Sequence, residues 1–266
     1  MPSPLLAALL AAQALAAGPA PLRVAAPEGD RLLPLLPATA GQPGGCTRDG
    51  RWCVTLSEPD EAGEVRPVLQ QAGPGAAGEA APPAPEAESG FGEPSYTPWP
   101  ALILLAEGGA LAGVQREERS AYSGGGGSGS TLLLFHIPAG GSAGPKPVLE
   151  VPLRGALLIR ACFDERDQRR RRGACHDEYG FSATLSLAPG RSEGRPALRY
   201  SSEAWAFPRG VSREADSTAM RPLRQADLVR ERDARCSVTR QFRYEAASGA
   251  YRPDTPLPDC SAYTVP

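Results

Sequence analysis

From Trp99 to the end of the chain, short apolar or alternating runs recur between clusters of Gly, Pro, Ser and Asp. Residues 102–105 and 111–115 flank a Glu107-Gly108-Gly109 turn, and this reads as strand, turn and strand. Residues 131–138 form an apolar run ended by a proline, and 147–153 return from the loop that follows. Residues 157–163 lead into a charged stretch, and 179–187 leave it with Phe181, Ala183, Leu185 and Leu187 on one face. Residues 197–207 give a further strand. Near the end, Cys236, Val238, Arg240, Phe242 and Tyr244 alternate with Ser237, Thr239, Gln241 and Arg243, and Ala247-Ser248-Gly249 turns the chain back. Before Trp99, Asp49-Gly50 is a hairpin signal flanked by Cys46 and Cys53, with Trp52, Val54 and Leu56 on one side. Residues 208–235 are the best helical candidate, with 220–235 polar, Arg-rich and only weakly periodic. Ten to twelve short strands follow, which argues for an all-β sandwich or related double sheet. A small β-propeller is the alternative.

Composition sharpens that picture. The chain has 266 residues, 41% hydrophobic but only 6% aromatic, so the core must rest on Leu, Val and Ala. Its 30 glycines and 29 prolines exceed a fifth of the residues and disfavour long helices. Residues 71–98 are almost entirely Ala, Gly, Pro and Glu, too poor in apolar groups to offset their ordering entropy, and read as a disordered loop or linker. They separate residues 18–70, the N-terminal part of the β domain, from the main β-rich domain at 99–266. The run 123–130, SGGGGSGS, reads as a flexible connection. No Lys follows its last glycine as phosphate cradles require, and it lacks the closing glycine of a nucleophile elbow.

Charge and cysteine usage place the chain. The net charge of −2 gives no field favouring nucleic acid, so no nucleic-acid partner is expected. Residues 1–17 read as a signal peptide, with an apolar run from 5 to 17 and the small-x-small sequence Ala14-Leu15-Ala16. That run is too short to span a bilayer, and no later one approaches that length, so no membrane span is expected. Six cysteines agree with an exported location, periplasmic or extracellular. Fifteen pairings are open; the spacing favours Cys46 with Cys53, Cys162 with Cys175 and Cys236 with Cys260. Each would contribute roughly 3 kcal/mol. None of these pairs has the short separation of a zinc ligand pair, so no metal or other cofactor is expected.

The remaining chemistry centres on 157–187, where two strands are stapled across a charged connection. Arg169, Arg170, Arg171 and Arg172 could form an anion-binding patch, but Asp164, Glu165, Asp167, Asp177 and Glu178 balance them, which describes a solvated, self-paired loop. His176, Asp177 and Glu178 are the first suspects if the chain is a secreted hydrolase or a metal-binding enzyme. His136 reads as a core or edge histidine. Trp52, Trp99 and Trp205 could line a carbohydrate groove but more simply serve packing. The expected role is therefore a non-catalytic binding or structural module for an unknown protein or ligand.

Overall fold

A computed structural model describes residues 29–37, 44–71 and 93–266. The expected signal peptide and most of the low-complexity segment lie outside the described residues. The N-terminal strands are β1 (Arg31–Pro34), β2 (Leu36–Pro37), β3 (Gly45–Cys46), β4 (Trp52–Leu56) and β5 (Pro67–Gln71). Then come β6 (Ser95–Leu104), β7 (Ala110–Tyr122), β8 (Gly125–Ile137), β9 (Leu149–Arg160), the short helix α1 (Glu165–Arg170), β10 (His176–Ser192) and β11 (Arg195–Phe207). The chain closes with β12 (Glu231–Asp233), β13 (Thr239–Glu245), β14 (Ala250–Pro253) and a single helical turn, α2 (Ser261–Thr264).

The architecture is the expected double sheet, all antiparallel. One sheet has ten strands in the order β1-β6-β7-β8-β9-β10-β11-β13-β14, with β12 added to β11. The other has four, in the order β2-β3-β4-β5. The strands β7 to β11 are longer than the short runs suggested, reaching 17 residues in β10. They grow because glycine-rich stretches continue the ladder where a turn was expected. β1 pairs directly with β6, so the N-terminal segment is joined to the main sheet.

Alternation on β6 and β7 divides the cores. Ile103 and Leu111 enter the main core with Leu132, Leu134, Val151, Phe181, Leu198 and Tyr200. Leu102, Leu104, Ala110 and Ala112 face the small sheet and pack on Leu35, Trp52 and Val54. The large sheet also curls. The Tyr251 N–H at β14 donates to the carbonyl of Val148, just before β9, at 2.7 Å. β9 carries one extra residue opposite the Ser130–Thr131 step of β8. Below this bulge Leu132 pairs with Val151 and looks into the core; above it Ser130 pairs with exposed Arg154. The bulge therefore exchanges which face of the β7–β8 hairpin looks inward.

The expectation for 123–130 is corrected here. Only Ser123 and Gly124 turn; from Gly125 on, the run is strand, paired to β7 and β9 on both sides. Its glycines are there for close approach. A Cβ on Gly129 would collide with the carbonyl oxygen of Thr264, and one on Gly155 of β9 with that of Tyr263. The C-terminal turn α2 thus lies directly on a backbone cradle. It is anchored by the Cys236–Cys260 disulfide, by Tyr263 donating to Asp233 at 2.8 Å and by Arg213 donating to the Val265 carbonyl at 2.8 Å. The helix expected over 208–235 is also corrected. A 3-10 turn at Gln225–Asp227 and the short strand β12 form there, because the segment offers no apolar stripe to bury. Instead Arg221 grips Asp227 through both guanidinium nitrogens, at 2.7 and 3.0 Å, and holds its carboxyl below the usual range.

Gly155→Ala should lower stability in urea unfolding by about 1–3 kcal/mol, the usual cost of overpacking. In a chain ending at Cys260 the same substitution should cost less than about 0.5 kcal/mol, since the clashing carbonyl is gone.

Candidate functional site

All three expected disulfides form: Cys46–Cys53, Cys162–Cys175 and Cys236–Cys260. The second closes the β9–β10 connection. Asp164 caps α1 by accepting from the Asp167 N–H at 2.8 Å, and Asp167 in turn accepts from the Phe163 N–H at 3.1 Å. These caps fix a helical turn where a loop was expected.

The four arginines diverge from this turn. Arg169 is exposed and pairs with Glu165 at 3.2 Å. Arg170 donates to the Met220 carbonyl at 2.5 Å, and Arg172 to Gln225 at 3.3 Å. Arg171 departs from the solvated loop expected: it is 4% exposed. Its Nε donates to the Ala174 carbonyl at 2.8 Å and its Nη2 to Asp177. The other oxygen of Asp177 accepts from the Ser217 hydroxyl. Both partners of this ion pair are buried, so the bonds to Ala174 and Ser217 are what make it tolerable.

Strand geometry also separates His176, Asp177 and Glu178. Asp177 faces inward, paired in register with Ile159, while His176 and Glu178 face outward opposite Arg160 and Leu158. Among the described residues no three of His, Cys, Asp and Glu come together in a ligating group. His136 lies half-buried on β8, where burial, with Arg195 nearby, lowers its pKa from the ordinary 6.5 to about 4. Trp52 and Trp99 are core residues, but Trp205 is on the outer face of the large sheet.

That outer face holds a trough of about 630 Å³, open to solvent. It crosses the strands. Arg119, Ser128, Ala156, Gly180 and Trp205 stand in one row over β7 to β11, each opposite the next. The floor is almost bare over β8 and β9, because Ser128 and Ala156 carry little side chain; over β10 the Trp205 ring covers Gly180. Gly180 is required: a Cβ there would enter the indole ring of Trp205, which lies across it. The Arg230 guanidinium stacks over that ring, 3.8 Å from its centroid. Glu117 and Arg119, paired at 2.8 Å, close one end; Leu158 and Glu178 form a side wall. One small residue at the matching register of three successive strands, Ser128, Ala156 and Gly180, was the available signal. It was hidden because SGGGGSGS also has the composition of a linker.

No protein-family model, curated protein or solved structure matches the chain.

Arg171→Ala should cost about 3–5 kcal/mol in chemical unfolding, because it strands Asp177 as a buried charge. Arg169→Ala should stay within about 0.5 kcal/mol. For His136, the unfolded chain takes up a proton near pH 6.5 and the folded chain only near 4. Unfolding therefore binds a proton between these values, and stability falls as pH drops through that window. His136→Gln should remove this component from a plot of Tm against pH.

Proposed function

We propose that the protein is an exported, disulfide-stapled β module whose role is binding rather than catalysis, and that the trough on the large sheet is its contact surface. The observation that carries this reading is the floor. Two central strands present Ser128 and Ala156 side by side as open floor, between charged side chains and the Trp205 ring that covers Gly180 on the next strand. A core-forming sheet face has no need of such a bare stripe, whereas a ligand lying against the sheet does. The volume falls within the range of ligand sites. Three disulfides support an oxidising compartment. No described helix is long and apolar enough to cross a membrane.

The hydrolase alternative draws less support. Asp177, one of its three suspects, spends both carboxylate oxygens on Arg171 and Ser217, and His176 and Glu178 lie on the opposite face. The arginine patch is likewise weakened as an anion site by the divergence of its four side chains.

Two measurements test the reading. The intact mass of protein from the envelope or medium should lack the first 16 or 17 residues and be lighter by the six hydrogens of three oxidised pairs. A full-length chain with free thiols would overturn export. A photo-reactive benzoylphenylalanine at the exposed wall residue Leu158 should give a defined adduct in cells, and one at exposed Arg169 on the α1 connection should not. Adducts from Arg169 alone would move the contact surface away from the trough.

A further inference from the structure

Given that the trough is the contact surface, the geometry points to its ligand: we infer an uncharged polyhydroxylated chain, a neutral polysaccharide, laid across the strands from Arg119 toward Trp205. Four features of the site select this chemistry against the other polymers that could lie there.

Peptide recognition by strand addition needs a free sheet edge. The floor strands β8, β9 and β10 are interior, with neighbours on both sides, so their main-chain groups are already paired. A polyanion needs a surplus of cations. The Glu117–Arg119 pair is self-compensated, Glu178 and Arg230 over Trp205 cancel, and Arg232 opposite Trp205 leaves one cation in surplus. The site is close to neutral. An acyl chain or an amphipathic helix needs a broad apolar wall, and Leu158 is the one aliphatic side chain standing exposed beside the floor, 48% accessible. What remains suits hydroxyl groups. Carboxylate and guanidinium groups on Glu117, Arg119, Glu178 and Arg230 are planar and offer paired acceptors and donors, and Ser128 and Ser182 add hydroxyls. The open floor over Ser128 and Ala156 admits a flat ring against the sheet.

The dimensions fit a chain rather than a single ring. From β7 to β10, where the indole covers Gly180, there are three inter-strand steps of about 4.8 Å, so the open row spans about 14 Å. One sugar would leave most of it empty. The Trp205–Arg230 stack closes the far end with a planar cation fixed on an indole, and Arg232 stands opposite Trp205 in register beyond it.

The test is an NMR titration of the full chain with cellohexaose, laminarihexaose and chitohexaose, and with hexagalacturonate as the charged control. At least one neutral hexamer should shift amides of 117–119, 126–128, 156–158, 178–182 and 205. Hexagalacturonate should bind at least tenfold more weakly. Ala156→Phe, a substitution at an exposed position, should fill the floor and abolish the shifts while leaving Tm unchanged. Glu178→Gln should weaken binding about tenfold, the effect of losing one charge-assisted hydrogen bond. Tighter binding of hexagalacturonate overturns the assignment. So does the absence of any neutral shift at about 5 mM, a concentration at which even a millimolar complex is mostly formed. The two readings separate cleanly. If Leu158 cross-links to a protein in cells and no hexamer binds, the trough stands and the saccharide falls. If neither occurs, both fall.

Discussion

The large sheet depends on backbone meeting backbone at places where no side chain stands. Gly129 and Gly155 receive the carbonyls of Thr264 and Tyr263 at distances that a single Cβ would forbid. The end of the chain therefore lies on the sheet instead of above it, and Tyr263 reaches Asp233 and packs edge-on against Tyr179, 6.0 Å between centroids. Above the bulge at Leu153 the inward face is this cradle; below it the inward face is the Leu132–Leu134 core. One inserted residue thus lets a continuous hairpin serve two kinds of packing, side chain on side chain at one end and main chain on main chain at the other.

The same alternation assigns opposite duties to neighbouring residues on β10. Asp177, Tyr179 and Phe181 turn inward, to the ion pair, the C-terminal turn and the main core respectively. Glu178, Gly180 and Ser182 turn outward and line the trough. The inward series is held by burial and hydrogen bonds, so the outward series sits on a support that cannot slip by one residue without exposing a buried charge. The site is placed on rigid strands rather than on loops, which suits recognition by shape.

Much of this was legible in the residues. Apolar alternation located most of the strands and the inward face of 179–187, and consecutive cysteine spacing named the three disulfides. Two things were not legible. A glycine run has the same composition whether it is a tether or a seat for another backbone, and only the partner strand and Thr264 distinguish them. Arg171 looks like its neighbours in RRRR, yet it alone is buried, because Asp177 and the Ser217 segment enclose it. Asp177 is six positions on, but the Ser217 segment that completes the enclosure is 46 positions away, beyond the reach of any local pattern. The trough was hidden for a related reason: its row runs at right angles to the chain, through one residue from each of five strands.

Each disulfide joins a cysteine to the next one in sequence, across 7, 13 and 24 positions. The native connectivity is therefore the one obtained when thiols oxidise strictly in order of emergence from a translocation pore or ribosome. Every second cysteine meets only the one that has just preceded it, and no earlier thiol is left waiting. A chain built this way can complete its covalent framework without a reshuffling step, while the long β7–β11 sheet, whose pairings also follow chain order, zips up behind it.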